Sequence, residues 1–169
     1  MQIIYDPINK GFERKEVPPP CDFELDGPVF MIDQVIPSNL ECIDDVICRI
    51  VDALDQKGYV AADKLRDLDL VMHEALANAI IHGNRCSRTK TVRLGVAMGE
   101  DRSLEIVVKD LGSGFDPSTI PEPVSAHHLL MDRGRGIFII RQLMDNIQFR
   151  FRNGTEIYMR RSSLKQSPK

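Results

Sequence analysis

The chain has no excess of positive charge: 22 Lys and Arg stand against 25 Asp and Glu, for a net charge of −3. A general nucleic-acid binder is basic, so direct nucleic-acid binding is not expected beyond a local patch. No apolar run approaches the length that crosses a bilayer, so no membrane span is expected. The first residues, Met1-Gln2-Ile3-Ile4-Tyr5-Asp6, lack the basic-then-apolar order of a signal peptide. The four cysteines, Cys21, Cys42, Cys48 and Cys86, form no CxxC pair and no Cys/His set with zinc spacing. Reduced thiols in a cytoplasmic protein are the resulting expectation. There is no internal repeat, no GxxxxGK[ST] phosphate loop and no complete GxGxxG. His73-Glu74 does not open a zinc-protease HExxH motif, because Ala77 stands where the second His belongs.

What is present fits a globular chain. Its 169 residues are 43% hydrophobic and 28% charged, enough for one domain with an ordinary core. Residues 1–28 read as an extended arm, with Pro18-Pro19-Pro20 forbidding helix. Residues 29–36 read as a strand ended by Pro37. Ser38 followed by Glu41 is a capping-box signature for the next helix. Leu40, Ile43, Ile47, Ile50 and Leu54 recur at helical spacing until Gly58 stops the run. A second helix is expected over 63–82, with Leu65, Leu68, Met72, Leu76 and Ile80 on its buried side. Residues 91–98 and 104–108 read as a hairpin, 111–133 as a long connection, 135–145 as a third helix, and 147–152 with 155–160 as a hairpin turning at Asn153-Gly154. Residues 162–169 form a polar tail. The pattern is α+β: a mostly antiparallel sheet with helices on one face.

Three short segments carry chemistry. Glu74 and Asn78 lie four apart on a helix and share a face. Asn78 offers a neutral oxygen to Mg²⁺, which needs few protein ligands when phosphates and water complete its shell. Glu74 offers a carboxylate that accepts a proton. A solvated polar stripe would look the same. Asp110 ends an apolar strand and can accept a hydrogen bond from an exocyclic amine such as that of adenine. Gly112 and Gly114 let a flat base approach closely. A simple Asp/Gly turn is the bland alternative. Gly134 and Gly136 stand at a helix start, where free N–H groups and the helix dipole favour phosphate, and Arg133 and Arg135 add positive charge. An ordinary loop and helix would also satisfy that pattern. His82 is a candidate lining residue. Residues 117–133 fall between the base-binding and phosphate-binding segments, where a lid would sit.

Taken together, Glu74-xxx-Asn78, Asp110-x-Gly112-x-Gly114 and Gly134-x-Gly136 resemble the N, G1 and G2 boxes of the GHKL ATPase superfamily, which includes gyrase, Hsp90, histidine kinases and MutL. The stretches HEALANAIIHGN, DLGSGFDP and GRGIFIIRQLMD are most similar to the anti-sigma-factor serine/threonine kinases of the RsbW-like group. The resemblance spans residues 29–161. It implies a Bergerat fold, a two-layer α/β sandwich that binds ATP and Mg²⁺. It also implies Asn78 at the metal, Glu74 as general base, and Asp110 at the adenine amine with Thr155 beside it. Gly134, Gly136 and Ile137 would cover the phosphates. The implied partners are an anti-anti-sigma (STAS-type) protein as substrate, a sigma factor, and a second copy in a homodimer. A non-catalytic ATP/ADP-sensing binding protein and a detached catalytic module of a histidine kinase are the other readings.

Overall fold

The strand Thr91–Met98 alternates Val92, Leu94, Val96 and Met98 with Thr91, Arg93, Gly95 and Ala97, so its two faces carry different chemistry. The computed structural model describes residues 21–25, 27–113, 135–151 and 153–162. In chain order the elements are β1 (Phe30–Pro37), α1 (Ile43–Gln56), α2 (Ala62–Asn78), β2 (Thr91–Met98), β3 (Leu104–Lys109), α3 (Arg135–Leu143), β4 (Asn146–Phe151) and β5 (Thr155–Arg161). The strands form one sheet in the order β1-β2-β3-β5-β4, antiparallel at every pairing. The α+β architecture expected from the pattern is what forms. No helix among the described residues is long and apolar enough to cross a membrane.

The larger apolar side chains of β2 and β3 meet α1 and α2. Ile43, Val46, Ile47, Ile50 and Leu54 supply the α1 stripe, and Leu68, Val71, Met72, Ala75 and Leu76 the α2 stripe. Asp44 and Asp45 in the first turn of α1 suit the positive end of its dipole. The α1 entry differs from the expected capping box. A 3₁₀ turn, Leu40–Cys42, comes first, and Asn39 caps it by accepting a hydrogen bond from the Glu41 amide at 3.3 Å. Ser38 is instead buried with its hydroxyl unpartnered. Leu40, on that turn and not on the helical stripe, is exposed. Gly58 follows α1 at φ +63°, as a helix stop requires. The expected third helix is shorter, closing at Leu143.

Every residue of β2 and β3 is buried, although the helices among the described residues cover one face. Residues 21–25 cover the other. Gly95 makes this docking possible: a Cβ there would lie 2.6 Å from the Phe23 ring and 2.9 Å from Cys21. The Glu105 carboxylate accepts hydrogen bonds from the Glu24 and Leu25 amides at 2.7 and 3.3 Å, and from the Tyr158 hydroxyl at 2.7 Å. Arg150 bonds the Asp22 carbonyl and the Glu24 carboxylate and stacks over the Tyr158 ring. Burial pushes the Cys21 thiol well above its usual range.

At the β1–β2 end of this face, Arg93 grips Asp33 with two bonds, Nε to Oδ1 at 2.6 Å and Nη2 to Oδ2 at 2.9 Å. Both residues are buried. Removing one partner strands a charge out of water, so Arg93→Met should destabilise the fold by about 3–5 kcal/mol. Replacing both, as Asp33→Leu with Arg93→Met, should recover most of that loss. Urea denaturation of the two variants checks this. A double variant as weak as the single would show that the charge pair is not what matters there.

Candidate functional site

The last two turns of α2 carry Glu74 and Asn78, and the chain then widens into a π turn, Ala79–Gly83. Such single π turns inside helices are frequent at functional sites. Both Glu74 and Asn78 are only partly exposed, and the Asn78 side-chain amide nitrogen is buried with no hydrogen-bond partner. The first turn of α3 rests directly on this pair. A Cβ on Gly136 would stand 2.5 Å from Glu74 Oε2 and 3.2 Å from Asn78 Nδ2. Glycine therefore lets the N-terminus of α3, the end that favours anions, close over a carboxylate and a carboxamide. Two of the three segments singled out in the sequence meet at this point.

The second segment sits at the end of β3. Asp110 is buried, and its backbone amide donates to the Thr155 carbonyl at 2.9 Å. Its Oδ1 accepts from the Gly112 amide at 2.7 Å and the Thr155 amide at 3.0 Å. That oxygen is committed to shaping the turn and leaves Oδ2 for a ligand. The Thr155 hydroxyl is buried beside it without a partner. Three glycines enclose the carboxylate. A Cβ on Gly83 would overlap the Asp110 carboxylate, one on Gly112 would overlap the Gly83 carbonyl, and one on Gly154, at φ +122°, would overlap the Asp110 carbonyl.

The remaining sequence candidates divide. Ile137 is half-buried and packs on the main core, so its side chain anchors α3 and only its backbone is available to phosphate. His82 is exposed on the π turn. Gly114, Arg133 and Gly134 lie outside the described residues, as does the expected lid at 117–133, and Arg135 is described only as the first residue of α3. Sequence reasoning missed Gly83 and Asn84. Asn84 is buried, donates to the Thr91 carbonyl at 2.9 Å and accepts from the Leu111 amide at 2.9 Å. The run His82-Gly83-Asn84 directly after the helix was the available signal.

Burial pushes the Asp110 carboxyl above its usual range, against the opposing pull of the Thr155 and Gly112 amides. A carboxyl raised in this way favours folding below its unfolded value and loses that contribution as pH rises through the raised folded value. Charged Asp110 thus costs stability at neutral pH. Asp110→Asn keeps an oxygen for both amides and removes the buried charge. Without nucleotide it should melt above wild type at pH 7, and the gap should shrink as pH falls toward the carboxylate range. Thermal denaturation across pH checks both the sign and the trend.

Comparison with known proteins places the chain in a family. The family described as histidine kinase-like ATPase domain matches residues 36–161. The serine-protein kinase RsbW of Bacillus licheniformis is 28% identical over 134 residues, covering 76% of this chain and 82% of that protein. RsbW of Oceanobacillus iheyensis is 25% identical over 134 residues, covering 76% and 84%. Among solved structures, a chain of the SiaB–SiaC complex from Pseudomonas aeruginosa overlays with a TM-score of 0.54 at 12% identity, covering 79% of this chain and 88% of that one. With the family's match spanning most of its length and the site elements converging as described, the chain belongs to the histidine kinase-like, GHKL-type ATPase family.

Proposed function

We propose that this protein is an ATP-dependent serine/threonine kinase of the partner-switching type, with an anti-anti-sigma protein of the STAS type as substrate and a sigma factor as alternative partner. The observation that carries the reading is the placement of Glu74 and Asn78 under the glycine of α3. The RsbW relatives are named serine-protein kinases, which supports a hydroxyl acceptor. A homodimer and a cytoplasmic location accompany this proposal.

The residues present fit a magnesium nucleotide. Asn78 has a buried amide without a partner, and an amide can turn to present its oxygen. Among the described residues no group of three or more His, Cys, Asp or Glu side chains is placed to hold a metal ion. A divalent ion would therefore draw on Asn78, the phosphates and water, as Mg²⁺ does in many nucleotide sites. Asp110 Oδ2 would accept from the adenine amine and the Thr155 hydroxyl would bond the same base edge. The backbone at Gly136 and Ile137 would cradle phosphate, and Arg133, Gly134 and Arg135 would complete the cover. Bound ATP with Mg²⁺ supplies the transferable phosphoryl group. The protein's part is to orient the acceptor hydroxyl and take its proton on Glu74 as the oxygen attacks.

Two outcomes test the assignment. Glu74→Gln should lower phosphate transfer to the partner by about 10²–10⁴-fold while ADP affinity stays near wild type. Asn78→Ala should weaken the nucleotide only when Mg²⁺ is present. Radiolabel transfer and titration calorimetry read the two effects. Wild-type rates in Glu74→Gln would remove its role as base. Nucleotide binding by wild type without transfer to any STAS-type partner would leave a nucleotide-sensing binding protein.

The adenine half has its own test. Asp110→Asn presents a donor to the adenine amine and should lose about 1.5–3 kcal/mol of ADP binding, roughly 10- to 150-fold. GDP, which carries a carbonyl at the matching position, should not suffer the same loss. Calorimetry with both nucleotides measures it, and an equal loss for the two would separate Asp110 from base recognition.

A further inference from the structure

The two halves of the site stand on different elements, α2 and β3, and the structure holds a specific joint between them. The π turn Ala79–Gly83 delivers Asn84, whose backbone amide bonds the Ala79 carbonyl at 2.8 Å. The Asn84 side chain then reaches two strands at once. Its Nδ2 bonds the carbonyl of Thr91, the first residue of β2, and its Oδ1 takes the amide of Leu111, the residue after Asp110. Gly83 is locked against the same place, with no room for a Cβ because of the Asp110 carboxylate, while its carbonyl forbids a side chain at Gly112. Arg85 and Cys86 follow in the left-handed region at φ +56° and +54°. Two successive non-glycine residues there are strained, and such strain persists where the surroundings dictate the path. Asn84, buried and bonded on both sides, holds this turn together with the Cys86 amide on the Ile80 carbonyl and the Ser87 amide on the Asn84 carbonyl.

We infer that Asn84 is a positioning residue that fixes Asp110, the adenine-reading group, relative to Asn78 and Glu74, so that adenine selectivity depends on a side chain that does not touch the nucleotide. The inference rests on the nucleotide-site reading above. A residue with a merely structural role would lower stability and leave selectivity alone. A positioning residue must move selectivity, because the Leu111 amide, and with it the Asp110–Gly112 turn, loses its anchor.

The experiment compares Asn84→Ala with Ile47→Val, a core truncation in α1, at temperatures where both are folded. Titration calorimetry with ADP and GDP gives the adenine-to-guanine affinity ratio, and hydrogen exchange follows the Leu111 amide. Asn84→Ala should lower the ratio about tenfold, the factor that one hydrogen bond commonly controls, and speed Leu111 exchange. Ile47→Val should change neither. An unchanged ratio in Asn84→Ala would overturn the inference. Should that variant not fold, Asn84→Ser is measured in its place under the same two outcomes. If wild type binds neither nucleotide, the functional reading fails. Leu111 exchange then decides the joint alone: faster exchange in Asn84→Ala than in Ile47→Val supports it, and equal exchange overturns it.

Discussion

The site depends on one carboxylate oxygen. Asp110 Oδ1 gathers the amides of Gly112 and Thr155, and this ties the end of β3 to the start of β5 and fixes the turn between them. A hydrogen bond to a charged acceptor is worth roughly twice a neutral one, so the pair of bonds offsets part of the cost of burying the charge. It does not offset all of it, since burial still raises the carboxyl. The fold thus carries an unfavourable charge at the centre of its proposed binding site. Glycines at 83, 112 and 154 are the steric condition for that arrangement, because each stands where a Cβ would strike Asp110 or its neighbours.

Strand periodicity makes the sheet serve two purposes. Asp110 and Thr155 lie at the helix-side site, while their chain neighbours Lys109 and Glu156 pair across the opposite face at 3.4 Å. Arg150 joins Glu156 and reaches the Asp22 carbonyl and the Glu24 carboxylate. Residues 21–25 therefore lie directly behind the strands that present Asp110 and Thr155. On that face Arg93 with Asp33 and Lys109 with Glu156 are buried as pairs, which avoids the cost of a lone buried ion.

Much of the architecture was legible because hydrophobic period is a strong signal. The stripes of α1 and α2 and the alternation in β2 identified the elements and the face that helices cover. Asp110, Glu74, Asn78 and Gly136 were legible as types at the right spacing, and the structure brings Glu74, Asn78 and Gly136 together. What was not legible is non-local. Nothing in the local sequence distinguishes Ser38 from Asn39 as the helix cap, because both are capping types and only the geometry of the turn selects Asn39. Nothing in residues 21–25 announces a landing place that Gly95 provides some seventy residues later. Asn84 lies just past the helix expected over 63–82, and its importance lies in the partners Thr91 and Leu111, which chain folding supplies.

In the proposed reading, the Asp110 end of the sheet and the Asn78 end of α2 form one nucleotide site. A crystal structure with ADP and Mg²⁺ tests it most directly. Asp110 Oδ2 should accept the adenine amine at about 2.8–3.0 Å and the Asn78 oxygen should sit on the metal at about 2.0–2.1 Å, with phosphates against the first turn of α3. Adenine bound away from Asp110, or a metal shell that excludes Asn78, would contradict it.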